Sequence, residues 1–243
     1  ISVVGAADGT GSTINQTLTS TSNYPGTVTY TAIANLNGCT STAVSQVTVK
    51  PVPTITSSNQ SICSGQTTAI TISNTNAITG TTIAWTATPT NVSGSSAGTG
   101  FSIAQLLTAT TGSPGTVNYG VTATASGCSS PVLPVVATVT PVPQATITAN
   151  QTICSGPVSL VIGNSNGVLG ASYSWTQSTN QVSGAWNGSG AAINQTLTAT
   201  GNLNGLAVYT GTASLNGCST TAQSTVTVKP VPTVAASNQA ICS

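Results

Sequence analysis

Residues 141–156 read PVPQATITANQTICSG, and the same landmarks occur at 51–65 as PVPTITSSNQSICSG and from 230 onward as PVPTVAASNQAICS. The prolines recur at offsets of 90 and 89 residues. Other landmarks keep this phase: the Gly-Cys pairs at Cys39, Cys128 and Cys218, the tyrosines Tyr30, Tyr119 and Tyr209, and the tryptophans Trp85 and Trp175. This agreement indicates tandem repeats of about 90 residues, strung as modules along one chain.

The phase of the repeat sets the predicted domain boundaries. Residues 51–140 and 141–229 form two complete repeats, residues 1–50 form the C-terminal part of an earlier repeat, and residues 230–243 form the start of the next. The two incomplete segments do not add up to one repeat, because neither contains a counterpart of residues 156–179. We therefore expect this chain to be a window from a longer array.

Short strand-like runs fill each repeat. The second repeat predicts strands at 54–58, 67–73, 82–88, 101–108, 116–124 and 132–140, separated by Gly, Ser, Asn and Pro. Asn37-Gly38 and Asn216-Gly217 are typical of two-residue hairpins, and no segment keeps a helical period. Six or seven strands in about 90 residues favour an all-β fold of tandem immunoglobulin-like sandwiches, with Trp85 and Trp175 on strand C and the repeated tyrosines on strand F. A propeller blade of about 40–50 residues would have half this period.

The charge census excludes several classes of function. The only charged side chains are Asp8, Lys50 and Lys229, and the chain has no His and no Arg. General acid–base catalysis, carboxylate or His/Cys metal sites and nucleic-acid binding all need ionisable groups in number. We therefore predict that the protein is not an enzyme, needs no cofactor or metal, and binds no nucleic acid.

Two further classes are excluded by the pattern of apolar residues. A membrane-spanning helix needs about 20 consecutive apolar residues, and here apolar residues alternate with Thr, Ser and Asn, so no membrane insertion is expected. Val, Ile and Thr are abundant, which favours ordered strands over disorder. Six Cys and no Met indicate an oxidising, extracellular compartment.

The order of the motifs resembles a known family. Ile-Cys-Ser-Gly, a Trp about 20 residues later, Val-x-Tyr, Gly-Cys and a strand ending in Val-x-Val-x-Pro-x-Pro resemble the PKD-like and Ig-like repeats of giant Bacteroidota surface proteins. These proteins include the gliding-motility adhesins exported by the type IX system. The resemblance covers the whole chain and implies a cell-surface location in long tandem arrays. It implies no ligand, because these repeats carry no catalytic signature.

The cysteines allow two pairing schemes. Pairing within a repeat joins Cys63–Cys128 and Cys154–Cys218, and it leaves Cys39 and Cys242 to cysteines outside this window. Pairing across the linker joins Cys39–Cys63, Cys128–Cys154 and Cys218–Cys242. We favour the first scheme, because Pro-Val-Pro favours an extended path that carries the second set of cysteines tens of ångströms apart. A loop of 64 or 65 residues should stabilise each domain by roughly 3–4.7 kcal/mol in the chain-entropy model.

One aromatic residue breaks the repeat. Trp186 lies in a Gly-rich loop at a position where the other repeats carry Ser or Ala. Such a side chain either contacts a ligand, by stacking on a sugar or a partner surface, or covers an edge of its own sandwich.

These observations predict a structural stalk or filament segment of a long extracellular adhesin, in which the partners are neighbouring repeats of the same chain. Two alternatives stay open. The repeats themselves bind glycan or another cell surface, or they associate laterally into a fibre, because low charge removes repulsion and edge strands offer pairing sites.

Overall fold

A computed structural model describes residues 2–241 of the chain, and contacts divide it into two compact units. One unit comprises the residues up to Thr108 together with Gly115–Val139, and the other comprises Ala109–Pro114 together with the residues from Thr140 onward. The part of the chain that is described contains strands and turns and no helix. The domain boundaries given by the repeat phase stay a prediction.

The first unit begins with two separate strand pairs. Their strands are β1 Val3–Val4, β2 Thr19–Ser20, β3 Gly26–Leu36 and β4 Cys39–Val49. β1 pairs with β2, and the long strands β3 and β4 form an antiparallel hairpin in which Leu36 faces Cys39. Asn37 and Gly38 both have positive φ, at 52° and 85°, which is the turn that the Asn-Gly pair predicts.

The rest of the first unit is a two-layered arrangement of many short strands. They are β5 Ile55–Thr56, β6 Gln60–Cys63, β7 Gln66–Thr67, β8 Ile70–Thr71, β9 Ser73–Asn74, β10 Thr82–Thr90, β11 Val92–Ser93, β12 Gly98–Thr99, β13 Ser102–Ile103, β14 Leu106–Ala109, β15 Gly115–Ala125, β16 Cys128–Ser129 and β17 Leu133–Thr140. One sheet has the order β12-β10-β15-β17-β6, with β16 pairing β15. The other layer consists of the pieces β11-β14-β7, β13-β8 and β5-β9.

The second unit is a two-sheet sandwich. Its strands are β18 Ala145–Ile147, β19 Gln151–Cys154, β20 Gly156–Asn164, β21 Ser172–Asn180, β22 Val182–Ser183, β23 Gly188–Ser189, β24 Ala192–Ala199, β25 Gly205–Leu215 and β26 Cys218–Lys229. The sheet β18-β20-β24-β22 packs on the sheet β19-β26-β25-β21-β23. All pairings are antiparallel except β19 with β26, which run parallel.

Alternation along the strands builds the core of this sandwich. Successive strand residues point to opposite faces, so every second side chain of β24 and β25 enters the same apolar layer. The core residues are Val158, Leu160, Ile162, Trp175, Val182, Ile193, Leu197, Ala207, Tyr209, Val226 and Val228. The all-β, immunoglobulin-like sandwich predicted from the strand spacing is confirmed, with Trp85 on β10, Trp175 on β21 and the two tyrosines on β15 and β25, all buried.

The predicted strands differ from the observed ones in several places: the runs at 67–73 and 101–108 are broken, and the short strands β6, β11, β12 and β16 were not predicted. The run at 67–73 is broken into β7, β8 and β9. The break between β7 and β8 arises because Thr68 is buried and its hydroxyl donates to the Ile103 carbonyl and accepts from the Gln105 N–H. A side chain that bonds to backbone groups in this way interrupts the ladder. The short strand β6 was not predicted, because four residues with little alternation give no clear strand signal.

Candidate functional site: a glutamine-anchored loop and two cysteine positions

A buried glutamine anchors the loop that carries Trp186. Gln195 lies on β24 and is 4% exposed. Its Oε1 accepts hydrogen bonds from the Tyr209 hydroxyl at 2.7 Å and from the Trp186 N–H at 3.2 Å, while its Nε2 donates to the Trp186 carbonyl at 2.8 Å. One side chain therefore satisfies both backbone groups of Trp186 and the phenol of the core tyrosine. We call this arrangement the glutamine clamp.

The clamp occurs in all three repeats. Gln105 bonds the Tyr119 hydroxyl at 2.8 Å and both backbone groups of Ser96. Gln16 does the same for Tyr30, at 2.8 Å, and for Ala7. In each case the glutamine follows the clamped residue by 9 positions and precedes the tyrosine by 14. The clamp is therefore part of the repeat scaffold.

A tryptophan and a glycine complete the anchoring of this loop. The Trp175 Nε1 donates to the Trp186 carbonyl at 3.0 Å, and Trp85 makes the same bond to Ser96 at 3.3 Å. Gly188 lies against the Trp175 ring so closely that a Cβ there would come within 2.3 Å of a ring carbon. Only glycine fits between the loop and the ring without a shift of one of them.

The fixed backbone presents the side chain at position 186 to solvent. Trp186 is 53% exposed, and the clamp uses only its N–H and carbonyl. Its neighbour Asn187 accepts a hydrogen bond from the Gln177 N–H at 2.8 Å, which ties the loop to β21. The side chain at this position is free to vary between repeats, as the Ser and Ala of the other repeats illustrate.

The row of side chains beside Tyr209 is unusually polar. Gln177, Tyr209 and Ser224 are cross-strand neighbours on β21, β25 and β26, and such neighbours point to the same face. Ser224 is fully buried, and within residues 2–241 neither its Oγ nor the buried Gln177 Oε1 has a hydrogen-bond partner. Burial also raises the pKa of Tyr209 to about 12, because the phenolate is poorly solvated there. Burial raises the pKa of Tyr119 as well.

The predicted disulfides Cys63–Cys128 and Cys154–Cys218 are wrong. Cys128 and Cys154 are free thiols, whereas Cys63 and Cys218 are each in a disulfide. For Cys154 and Cys218 the reason lies in the short strand β19, the counterpart of the unpredicted β6. Because β19 runs parallel to β26, Cys154 lies beside Lys229 at the last residue of β26, while Cys218 is the first. Eleven residues of extended strand separate the two positions by about 36 Å.

Cys39 and Cys242 were predicted to pair with cysteines outside this window. Cys39 is a free, exposed thiol, so its expected partner outside the window stays a prediction. Cys242 lies outside the described residues.

The sandwich of the second unit has two distinct ends, which we name by the chain direction. At the leading pole of the second unit, the Thr220 Oγ1 donates to the Pro143 carbonyl at 2.7 Å and accepts from the Ala145 N–H at 2.7 Å. At the trailing pole, the Ser155 N–H donates to the Lys229 carbonyl at 2.9 Å. The chain therefore enters at one pole and leaves at the other.

A shallow cavity of about 430 Å³ lies beside β5 and β8, lined by Thr56, Ser57, Ser58, Asn59, Gln60, Ala69, Ile70, Thr71 and Ser73. Its polar groups already have partners. Gln60 accepts from the Ala69 N–H, Ser57 donates to the Thr71 carbonyl, and Asn59 accepts from the Val136 N–H. The cavity is a gap between neighbouring strands, and these lining side chains form hydrogen bonds that stabilise the fold.

Within the described range, no helix has the length and apolar character needed to span a bilayer. Over the same residues, no three His, Cys, Asp or Glu side chains group in a way that would hold a metal ion.

The sequence profile of the PKD-like domain matches residues 60–143. Among solved structures, extracellular domains 3–5 of Drosophila OTK align at 12% identity, covering 83% of this chain and 70% of that one, with a TM-score of 0.41. Drosophila N-cadherin EC1-3 aligns at 15% identity over 78% of this chain and 74% of that one, with a TM-score of 0.29. The fibronectin(III)-like modules of Clostridium thermocellum CbhA align at 10% identity over 77% and 100%, with a TM-score of 0.30.

No curated protein sequence matches this chain. The match to a PKD-like domain over residues 60–143 and the observed strand order agree with an all-β, immunoglobulin-like sandwich.

Proposed function

We propose that this chain is a non-catalytic spacer segment of an extracellular surface protein, of the kind found in the tandem-repeat adhesins of Bacteroidota. The observation that carries the proposal is the path of the chain through the sandwich. Pro143 lies beside Thr220 at the leading pole, and the chain leaves after Lys229 at the trailing pole. Nine residues of extended strand separate Thr220 from Lys229 by about 30 Å within this repeat.

The recurrent glutamine clamp supports a structural role. The same three groups, a glutamine, a tyrosine and a loop backbone, are joined in all three repeats, while the side chain displayed on the loop changes. If every repeat used this loop for catalysis or ligand binding, the displayed side chain would need the same chemical character in each repeat. The near absence of charge suits a spacer whose behaviour depends little on pH or salt.

Two measurements on the purified chain test the spacer role: its binding to polysaccharide and its effect on cell attachment. The purified chain is applied to immobilised polysaccharides and added as a competitor during attachment of the cells that produce it. A spacer binds no polysaccharide and leaves attachment unchanged. Saturable binding or competition for attachment would overturn the proposal in favour of a binding module.

Binding of glycan through Trp186 is the second candidate function. It is favoured by the exposed indole on a loop whose backbone is already fixed, since a preorganised aromatic surface loses little entropy on binding. The repeats offer matched variants. Trp186→Ser installs the residue of the second repeat, and Ser96→Trp does the reverse. Binding that disappears in the first variant and doubles in capacity in the second would establish this function, and the same weak signal in both variants would exclude it.

A further inference from the structure

One asparagine of the third repeat holds the linker segment at the start of that repeat. The Asn166 Nδ2 donates to the Val142 carbonyl at 2.8 Å, and its Oδ1 accepts from the Gln144 N–H at 2.9 Å. The two bonded linker residues flank Pro143. We call this pair of hydrogen bonds the linker clasp. The clasp needs a side-chain amide, because one atom of the group must donate while the other accepts.

The second repeat has the same clasp on its own linker. The Asn76 Nδ2 donates to the Val52 carbonyl at 2.8 Å, and its Oδ1 accepts from the Thr54 N–H at 3.0 Å. In both repeats the asparagine follows the bonded valine by 24 residues. Each clasp lies within one compact unit. The clasp is therefore a recurrent feature of the repeat, like the glutamine clamp.

The residue that follows the asparagine differs between the two clasps. Gly167 follows Asn166, whereas Ala77 follows Asn76. Gly167 and Ala77 both have positive φ, at 66° and 49°, so the turn is of a similar kind in the two repeats. Asn166 and Gly167 are both exposed, and among the described residues the Gly167 N–H has no hydrogen-bond partner.

An exposed Asn-Gly pair with an unbonded glycine nitrogen can deamidate in water. The glycine nitrogen attacks the side-chain carbon of the asparagine, a C–N bond forms, and the side-chain nitrogen leaves as ammonia together with the proton of the attacking nitrogen. Water then opens the resulting succinimide to aspartate or isoaspartate. Glycine favours the attack because it has no Cβ beside the nitrogen, whereas Ala77 has one.

We propose that Asn166 is a site of spontaneous deamidation, and that its conversion to a carboxylate opens the linker clasp of the third repeat. An ionised carboxylate accepts hydrogen bonds and donates none. It would place a negative charge against the Val142 carbonyl oxygen, so the side chain must turn away from the linker and release the Gln144 N–H. Asn216-Gly217 has the same sequence but contributes no side chain to this clasp.

The release should be confined to part of the linker. The Thr220 Oγ1 donates to the Pro143 carbonyl and accepts from the Ala145 N–H, both at 2.7 Å, and the reaction leaves these bonds unchanged. The Gln144 N–H therefore reports the clasp, and the Ala145 N–H beside it is an internal reference. Opening of the clasp is independent of whether the chain acts as a spacer or as a binding module.

The first test follows the reaction in the full chain. The purified protein is incubated at mildly alkaline pH and digested with pepsin, and sequencing of the peptides by mass spectrometry locates each converted asparagine. Conversion of Asn166 should be several-fold faster than that of Asn76. Equal rates at the two sites would overturn the proposal. So would an Asn166 that stays unmodified over the period in which the chain unfolded in guanidinium chloride reacts completely.

Matched variants exchange the residue that follows each asparagine. A Cβ at position 167 meets open space, and the second repeat carries Ala77 at positive φ in the same place, so Gly167→Ala should fold. It should slow Asn166 to the rate of Asn76, and Ala77→Gly should raise Asn76 to the rate of Asn166. Rates that do not follow the exchange would contradict the role assigned to the glycine.

The second test measures the consequence for the linker. Asn166→Asp is one product of the reaction, and Asn166→Ala removes both bonds of the clasp. In residue-resolved hydrogen exchange, the Gln144 N–H should exchange several-fold faster in Asn166→Asp than in the unmodified chain and approach its rate in Asn166→Ala, while the Ala145 N–H keeps its protection. Unchanged protection of Gln144 in Asn166→Asp would show that the clasp stays closed. Loss of protection along the whole of β25 would also contradict a local release.

Discussion

The second and third repeats share one scaffold, but they fill the space beside the clamp tyrosine differently. Tyr119 is flanked on the neighbouring strands by Ala87 and Val135, whereas Tyr209 is flanked by Gln177 and Ser224. Both tyrosines are buried and both donate to a glutamine. The repeat therefore preserves the clamp and tolerates polar residues around it, even where their oxygens have no hydrogen-bond partner among the described residues.

The sheets opposite the clamp show the same tolerance. β20 runs without interruption from Gly156 to Asn164, while its counterpart in the second repeat is divided into β7, β8 and β9. Thr68 causes part of the division by bonding to the backbone of the neighbouring strand. The sandwich forms in both cases, because its apolar core is supplied by alternating residues on every strand.

Removal of the clamp glutamine should give the largest difference in stability loss between the two repeats. Gln195→Ala leaves the buried Tyr209 hydroxyl and two backbone groups of Trp186 without this partner, so we expect a loss of about 3 kcal/mol from the third repeat. Gln105→Ala should cost about half as much in the second repeat, because Gln105 is only half-buried and water replaces part of its bonds. Peptide-resolved hydrogen exchange measures each repeat separately. Equal losses below 1 kcal/mol would show that the clamp is not structural.

An exchange of the residues that flank the two tyrosines tests how much the polar neighbours of Tyr209 lower the stability of the third repeat. Ser224→Val installs the residue of the second repeat and removes an unpaired buried hydroxyl, so it should stabilise the third repeat by about 1 kcal/mol. The reverse change Val135→Ser should destabilise the second repeat by about 2 kcal/mol. Urea unfolding monitored by tryptophan fluorescence measures the change in stability of both variants. Destabilisation by Ser224→Val would mean that the hydroxyl is satisfied after all.

Loss of the tyrosine hydroxyl should have a smaller effect than loss of the glutamine. Tyr209→Phe removes one hydrogen bond and leaves the Trp186 backbone clamped, so we expect a loss of about 1 kcal/mol. Tyr119→Phe is the matched variant and should behave alike. If Tyr209→Phe lowered the stability as much as Gln195→Ala, the hydrogen bond of the tyrosine hydroxyl would account for the whole contribution of the clamp.

The dependence on pH should be absent near neutrality and appear only in alkali. The pKa of Tyr209 is raised to about 12 by burial, against about 10 in an unfolded chain. A raised pKa means that folding favours the protonated phenol, so the stability is complete below pH 10 and falls as the pH rises through 12. Unfolding at graded pH checks this. Tyr209→Phe should weaken the alkaline loss, and an unchanged profile would assign it to other groups.

Much of the fold followed from the sequence. The strand composition, the Asn-Gly turns and the phase of Trp85 and Tyr119 were enough to predict the sandwich and the strand positions of these two residues. The clamp was not predicted, although Gln195 lies in phase with Ile193 and Leu197 on β24 and so carried a sign of burial. In a chain rich in Ser, Thr and Asn, one more polar residue does not stand out.

The cysteine pairing could not be obtained from the sequence because it depends on strand direction. A cysteine on β19 lies near the start or the end of β26 according to whether the two strands run antiparallel or parallel, and a strand of four residues gives no sign of this. The extended path expected for Pro-Val-Pro therefore favoured the pairing of Cys154 with Cys218, two positions that the observed register separates by about 36 Å.

A spacer requires each repeat to unfold as an independent structural unit, and stretching single molecules of the chain measures this. In dithiothreitol, which removes any disulfide, we expect separate unfolding events for the repeats at 51–140 and 141–229. Each event should lengthen the chain by about 290 Å, given about 3.6 Å for each of some 90 residues and about 30 Å of folded length. A smooth extension without separate events, or a single event that releases both repeats together, would contradict the spacer proposal.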